Sequence, residues 1–476
     1  MPNEEIIQQN LPSLNSFITK NNFNSNDCII LEKNENSFLV PHSKESTKEF
    51  FTRIFSDKGP FWAAYFEMGL SEIPKGKEHT LFVNDELYFC KNIENEYIYT
   101  IGPKEKYIFK KDKLIKTKPI SIDYLLRTIS APLDILSQTN QTILNAFRIN
   151  ELLPEIKAQL TESNVYWEMN KDKQDLGPQE AEYALEKAVK CMKYSFLVSI
   201  AYSLKLKPSE QINPLIEETK QIYNSIKKIQ QGEETTIECS YFGKNIYDIS
   251  KERLYDKPNQ KSEIELPELP INEWMIIRES LKIVCARYLA IQRKAYQTVG
   301  KTSTLGENIF YLSTKELIKL NNTPVNELAQ IIAQRKYSFE KNVNISLPNK
   351  LIYNSINWFF EEEKKRTTYE EITGASVGAK TTVRGFVSIV RNDPDLQKDF
   401  SGKIIVTSYF SPNLVVTYKS ALGVISSVGG ALSHPAIVAR EKNLPCIVQA
   451  NISGINEGDE VELNGEKGIA KLLKQK

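Results

Sequence analysis

Apolar residues recur at two different spacings along the chain, and the changes between them mark three regions. From His79 to Leu114, short β-rich segments alternate with turn-forming Asn, Asp, Gly and Pro residues, after an aromatic-rich helical stretch at 46–68. This alternation predicts a small antiparallel sheet. We therefore predict a mixed α/β N-terminal region at residues 1–118.

Helical periodicity dominates the middle of the chain. Apolar positions follow a three-to-four-residue spacing from Ser121 to about Lys228, with breaks at prolines. Helices are predicted again at 271 to about 299, 315–320, 325–341 and 351–366. This spacing predicts a mainly helical domain at residues 119–366. After Gly374 the sequence becomes rich in Gly and Val with strand alternation, so residues 367–476 are predicted to form a separate, mainly β domain. The predicted fold class is α+β, multidomain.

Composition narrows the range of functions. The 476 residues include 61 Lys and Arg against 60 Asp and Glu, so no overall field attracts nucleic acid or an anionic membrane. An anionic ligand must therefore be held locally. The first residues are polar, and no segment approaches the roughly 20 apolar residues of a membrane span, so the sequence predicts a cytoplasmic protein.

Cysteine and histidine usage argues against a metal site. The six cysteines show no CxxC spacing, which favours buried thiols over a metal site or disulfide framework. The three histidines are His42, His79 and His434, too few for a histidine-rich site. We predict no metal ligands in this chain.

One segment near the C-terminus combines features that suit a reactive histidine. Gly429 and Gly430 permit a tight turn after a strand, Ser433 is a good helix N-cap, and His434 follows in the first helical turn. Free backbone N–H groups at a helix start stabilise phosphate, and the same field favours a neutral, nucleophilic imidazole. Arg440 and the Ser433 hydroxyl could share the anion. A helix cap without chemistry is the structural alternative.

The surrounding pattern resembles a known family. The pattern GGxxSHxAIxARExxxP at 429–445 and the pattern GDxVxLNGxxG at 458–468 resemble the phosphohistidine swivelling domain, a β/β/α domain, of pyruvate phosphate dikinase, phosphoenolpyruvate synthase, rifampin phosphotransferase and glutamine kinase. The resemblance implies that His434 carries a phosphoryl group between two sites. Ser433, Gly429 and Gly430 match the loop around that histidine, and Ser426 matches a usual threonine. Ser427 stands where an acidic residue is common.

Weaker resemblance extends upstream. Residues 240–258 resemble a central-domain motif of the glutamine-kinase-like members, in which Gly-His stands where this chain has Gly243 and Lys244. Residues 50–69 resemble the opening of the acceptor domain in the same members. Candidate acceptor-binding residues in the first two regions are Arg53, Lys244, Tyr247 and Asp248. Ordinary packing explains these four equally well.

The resemblance leaves the phosphoryl donor outside this chain. No P-loop pattern or ATP-grasp domain is evident, so ATP and Mg²⁺ are expected at a separate ATP-grasp partner, and no cofactor is assigned to this chain. The leading hypothesis is a dikinase-like phosphotransferase component that passes phosphate from His434 to a small-molecule acceptor. Two alternatives stay open: an inactive relative that acts as a binding or regulatory module, and a self-sufficient kinase with an unfamiliar nucleotide site.

Overall fold

The computed structural model describes most of the chain, with gaps. The described residues are 2–23, 28–33, 42–68, 70–98, 106–110, 113–117, 152–203, 213–231, 241–242, 245–256, 272–320, 325–343, 345, 347–354, 357–360, 371–390, 395, 398–407, 418, 420–427, 434–450, 452 and 455–474. Contacts between residues divide the chain into two compact units. The N-terminal unit comprises Met1–Lys33, Val40–Ser262 and Glu273–Glu361, and the C-terminal unit comprises Asn34–Leu39, Glu263–Asn272 and Glu362–Lys476.

Helices and strands both contribute to the N-terminal unit. Its helices are α1 (Pro2–Asn21), α2 (Glu45–Phe55), α3 (Pro60–Glu67), α4 (Lys91–Tyr97), α5 (Leu153–Asn170), α6 (Pro178–Ser203), α7 (Asn213–Gln231), α8 (Glu273–Thr302), α9 (Thr314–Ile318) and α10 (Val325–Asn342), with 3-10 turns at Leu254–Asp256 and Gly306–Tyr311. Its strands are β1 (Ile29–Lys33), β2 (Thr80–Val83), β3 (Glu86–Cys90), β4 (Lys106–Lys110), β5 (Lys113–Thr117), β6 (Lys350–Tyr353) and β7 (Trp358–Phe360).

The main sheet of this unit joins segments that are far apart in sequence. Its order is β2-β3-β1-β6-β7, and every neighbouring pair is antiparallel. Strand β1 pairs with β6 so that Ile29 lies opposite Tyr353. Leu14 and Phe17 of α1 and Trp62 of α3 pack in the core of this sheet. The helix predicted at 351–366 is wrong over the residues that the structure describes there, because 350–353 and 358–360 form the strands β6 and β7 that complete this sheet.

A long buried helix organises the helical part of the N-terminal unit. Helix α8 packs mainly against α6, α5 and α7, and it is buried along most of its length. The charged side chains of such a helix need hydrogen-bond partners within the protein, because burial removes them from water. Arg287 donates to the Leu160 carbonyl at 3.0 Å, and Tyr223 of α7 donates to the buried carboxylate of Glu279. No described helix has the length and apolar character needed to cross a membrane.

The C-terminal unit is built on an eight-stranded sheet with one described helix. Its strands are β8 (Glu371–Thr373), β9 (Ala375–Ser376), β10 (Thr382–Val390), β11 (Lys403–Thr407), β12 (Gly423–Ser426), β13 (Cys446–Val448), β14 (Glu460–Asn464) and β15 (Ile469–Lys474), and its helix is α11 (His434–Glu441). The order is β8-β15-β14-β10-β11-β12-β13-β9. Strands β10 to β13 run parallel, and the outer pairs are antiparallel. Helices and sheets together confirm the predicted α+β class. The predicted boundary at 366/367 lies outside the described residues.

Candidate functional site

Three parallel strands of the C-terminal unit end in register at one edge of the sheet. Val390 ends β10 and pairs with Thr407 at the end of β11, and Thr407 pairs in turn with Ser426 at the end of β12. The carboxyl edge of parallel strands is where α/β folds commonly bind ligands. Helix α11 begins at His434, eight positions after Ser426, and leads back into the parallel strand β13. The start of α11 therefore lies at this carboxyl edge.

Hydrogen bonds fix the backbone of this edge. The Ser427 amide donates to the Thr407 carbonyl at 3.0 Å, and the Ala450 amide donates to the Ser426 carbonyl at 2.9 Å. The Thr407 hydroxyl donates to the Val390 carbonyl at 2.9 Å. Ser426, predicted from the sequence, is buried at this edge with 6% exposure. Thr407 is not among the residues singled out in the sequence. Its position becomes evident only once the register of β11 and β12 is known.

Helix α11 is anchored on one face of the sheet. Ala436, Val438 and Ala439 pack with Val424 of β12 and Cys446 of β13 in one core cluster. This packing buries the sheet-facing side of the helix and leaves its first residue at the strand ends. The helix start is thus positioned by buried apolar contacts rather than by a loop alone.

A left-handed residue ends α11. Asn443 has φ 51°, and the Leu444 amide donates to the Ala439 carbonyl at 2.8 Å. The Asn443 amide donates to the Arg440 carbonyl at 3.1 Å, which completes a Schellman motif. Leu444 and Ala439 belong to the same core cluster, and a hydrophobic contact between these two positions often accompanies the motif. The helix is therefore fixed at its end as well as along its buried face.

The other predicted phosphate-stabilising residues are Gly429, Gly430, Ser433 and Arg440. Gly429, Gly430 and Ser433 lie outside the described residues, and so does the side chain of His434. Arg440 lies in the last turn of α11, six residues or about 9 Å along the axis from His434. Burial raises the pKa of the Cys446 thiol to about 12, although nearby Arg440 opposes the shift. The role of Arg440 at the phosphate stays a prediction.

The candidate acceptor residues lie in the N-terminal unit and are engaged in internal contacts. Arg53 donates to both carboxylate oxygens of Glu182 at 2.8 Å and to Glu49 at 2.7 Å. Burial lowers the pKa of Arg53, but these hydrogen bonds outweigh burial and raise it above its usual value. Arg53 thus joins α2 to α6.

Tyr247 and Asp248 hold a loop against α2. The Tyr247 ring stacks on Phe50 with centroids 5.9 Å apart, and burial raises the pKa of its phenol well above the usual value. Asp248 is buried and accepts a hydrogen bond from the Thr47 hydroxyl at 3.0 Å. Lys244 lies outside the described residues. Within the described ranges, no group of three His, Cys, Asp or Glu side chains could hold a metal ion.

Part of the C-terminal unit is similar to a known protein family. Residues 400–468 match the family model described as PEP-utilising enzyme, mobile domain. This segment includes β11, β12, the start of α11 and the turn between β14 and β15. This segment is therefore similar to the mobile domain of phosphoenolpyruvate-utilising enzymes.

Curated relatives agree with this family. Rifampicin phosphotransferase of Bacillus subtilis is 29% identical over 174 residues, which cover 35% of this chain and 19% of the relative. A probable phosphoenolpyruvate synthase of Methanothermobacter thermautotrophicus is 34% identical over 110 residues, which cover 23% of this chain and 16% of the relative. Chondramide synthase of Chondromyces crocatus is 36% identical over 106 residues, 22% of this chain and 3% of that protein. The chain thus spans less than a fifth of the length of each of these relatives.

Proposed function

We propose that this chain is a phosphotransferase component of a dikinase-like system. His434 accepts a phosphoryl group from ATP bound with Mg²⁺ at a separate ATP-grasp protein and passes it to a small-molecule acceptor. In the first step a phosphorus–oxygen bond of the nucleotide breaks as a phosphorus–nitrogen bond forms on the imidazole. In the second step an acceptor atom attacks phosphorus and the imidazole leaves. The observation that supports this proposal is the start of α11 at His434, inside the segment matched by the mobile-domain family.

The helix start supplies the electrostatics that both steps need. Backbone N–H groups of a first helical turn have no partner within the helix, and they stabilise negative charge placed beside them. The same positive potential disfavours an imidazolium ion and leaves a ring nitrogen available for attack on phosphorus. Pro435 carries no N–H group, so the other amides of the turn would hold the phosphate.

The anchoring of α11 suits a carrier that moves as a body. The helix is fixed by its buried face and by its Schellman end, so His434 keeps its place relative to strands β11 and β12 when the unit moves. A histidine on a rigid element can present the same phosphoryl geometry at two sites.

Phosphate labelling tests the proposal. The full chain is mixed with a candidate ATP-grasp partner and ATP labelled at the transferred phosphate, and the label is tested for acid lability and base stability. We expect labelling of the wild type, none of His434→Ala, and wild-type labelling of His42→Ala, which removes a histidine of the N-terminal unit. Equal labelling of wild type and His434→Ala would contradict the carrier role.

A second candidate function is a catalytically inactive relative that binds or regulates. Lys244 in place of the family histidine and Ser427 in place of an acidic residue favour it. In that case the chain stays unlabelled with every ATP-grasp partner, while binding of small molecules is the same in wild type and His434→Ala. Partner-dependent labelling of His434 excludes this candidate.

A further inference from the structure

Two buried thiols meet between the helices α6 and α8 of the N-terminal unit. Cys191 lies on α6 and Cys285 on α8, and both are almost fully buried, with exposures of 0% and 1%. A hydrogen bond between the two thiols is the main cause that raises the pKa of Cys191 well above its usual value, and burial adds to it. The two sulfur atoms are therefore neighbours, and both residues are free cysteines in this structure.

Each thiol also reaches the backbone of the opposite helix. Cys191 Sγ lies 3.4 Å from the carbonyl oxygen of Leu281 on α8, and Cys285 Sγ lies 3.6 Å from the carbonyl oxygen of Ala188 on α6. Because a cysteine side chain is short, these reciprocal contacts require the two backbones to approach closely here. Such an approach favours the Cα separation of at most about 7 Å that a disulfide needs.

The residues around the thiols can adjust to a bond between them. Met192 Sδ lies 3.8 Å from Cys285 Sγ, and Met192 is buried with 3% exposure. Formation of a disulfide shortens the distance between the sulfur atoms to about 2 Å, which leaves space beside them. A methionine side chain is unbranched and polarisable and fills irregular gaps of this kind. The core can therefore hold the oxidised pair without an empty cavity.

Burial controls when the pair can react. The thiolate is the reacting form of a cysteine, and the raised pKa of Cys191 keeps this thiol protonated in the packed core. Oxidation therefore requires α6 and α8 to separate transiently, as packed elements do by local opening. When the helices close again, the two thiols return to contact, so the disulfide between them is favoured over bonds to more distant cysteines.

We propose that Cys191 and Cys285 form a disulfide in the presence of a thiol oxidant, and that this bond is a redox-sensitive cross-link between α6 and α8. The oxidant is of the azo or small-disulfide class. With an azo compound, the sulfur–sulfur bond forms as the two thiols give up two electrons and two protons, and the nitrogen–nitrogen double bond is reduced to a hydrazine. The cross-link does not depend on the phosphoryl-carrier role, since both cysteines belong to the N-terminal unit.

Oxidation of the full chain followed by peptide mapping tests the cross-link. The protein is treated with diamide, an azo compound, in urea well below the unfolding midpoint, and the remaining thiols are then alkylated. We expect one predominant pair of linked peptides, which contains Cys191 and Cys285 and separates in dithiothreitol. After removal of urea, the oxidised protein should unfold at a temperature at least about 5 °C higher than the reduced protein, because the bond closes a long loop of chain.

Two variants serve as controls. Cys285→Ala removes one partner and should show neither the linked peptides nor the shift in unfolding temperature. Cys90→Ala removes a similarly buried thiol on β3, and it should behave as the wild type does. The peptide map of the wild type is informative even if Cys285→Ala folds poorly. No linkage of Cys191 to Cys285 in the oxidised wild type, equal linkage of Cys191 to other cysteines, or a lower unfolding temperature after oxidation would overturn the proposal.

Discussion

Different kinds of internal contact stabilise the two units of this chain. In the C-terminal unit, close backbone approaches fix the turns: a Cβ atom at Gly465 would lie 2.0 Å from the Ala379 carbonyl oxygen. In the N-terminal unit, buried charged side chains hold backbone carbonyls, as Arg253 does with the carbonyls of Asn245 and Ile246. Rigid turns suit the carrier role proposed for the C-terminal unit, whereas a unit with buried charges depends on every partner being present.

The glycine turn of the C-terminal unit gives the largest expected effect. Gly465→Ala forces the added methyl group into the backbone of the neighbouring segment, where nothing flexible can yield, and should cost about 4 kcal/mol of unfolding free energy. The four tryptophans, Trp62, Trp167, Trp274 and Trp358, all lie in the N-terminal unit. In urea, circular dichroism should therefore show an early transition while tryptophan fluorescence keeps the wild-type midpoint.

The matched control for this change is Gly177→Ala. A Cβ atom at Gly177 would meet only a Glu180 carboxylate oxygen at 3.4 Å, which is ordinary contact. The unfolding free energy should therefore stay within about 0.5 kcal/mol of the wild-type value. If Gly465→Ala shifts the fluorescence and circular dichroism transitions together, the two units unfold as one and the comparison between them fails.

Arg253 tests the buried charges of the N-terminal unit. Its side chain donates to the Asn245 carbonyl at 2.6 Å and to the Ile246 carbonyl at 2.7 Å, and burial lowers its pKa to about 10. Arg253→Met removes a donor from each of these carbonyls, although the Asn245 carbonyl keeps a longer bond from the Asp248 amide at 3.3 Å. This loss should cost about 3 kcal/mol. The tryptophan transition should move to lower urea, and the transition of the C-terminal unit should not.

An exposed arginine of the other unit is the control for Arg253. Arg384 pairs with Glu460 on the sheet surface, with 60% of its side chain exposed, so Arg384→Met should change stability by less than about 1 kcal/mol. A loss below about 1 kcal/mol for Arg253→Met would show that water or other donors replace the guanidinium.

These contacts also explain how far the sequence could predict the structure. The turn glycines Gly465 and Gly468 stand at fixed offsets in a local pattern, and Gly468 has φ 67°, so the pattern carries its own geometry. The first helical turn at His434 is likewise predicted by the residues next to it. The pairing of Ile29 with Tyr353 could not be predicted in this way. Hydrophobic alternation predicts a strand, but it does not indicate which strand more than 300 positions away is the partner.

The candidate site shows the same limit. Ser426 could be selected because it lies within the local pattern, whereas Thr407 enters the site only through the register of β11 with β12. Arg53 was selected as an anion contact from its charge and the resemblance, but its pairing with Glu182 joins helices 129 positions apart in sequence. The aromatic-rich stretch at 46–68 is largely core, since Phe50, Phe51, Phe55 and Trp62 are buried.

The smallest expected effect on stability is that of Glu94, and it depends on pH. Glu94 accepts a hydrogen bond from His79 at 3.1 Å and pairs with Lys91 at 2.8 Å. Burial raises the pKa of this carboxyl, but these partners outweigh burial and lower it to about 2. A glutamate in the unfolded chain titrates near pH 4.3. The ionised form therefore stabilises the folded unit above about pH 5, and this contribution is lost as the pH falls toward 2.

Glu94→Gln removes that titration and should cost the N-terminal unit about 2 kcal/mol at pH 6, measured by tryptophan fluorescence in urea. The difference from the wild type should shrink steadily below pH 5 and nearly vanish near pH 2. Glu78→Gln is the matched control, because Glu78 pairs with Lys20 at an exposed position and should give a small difference at every pH. If the stability difference between Glu94→Gln and the wild type stays constant from pH 6 to pH 3, the shape of the side chain rather than its charge fixes this contact. The N-terminal unit would then depend less on buried charge than its buried arginines suggest.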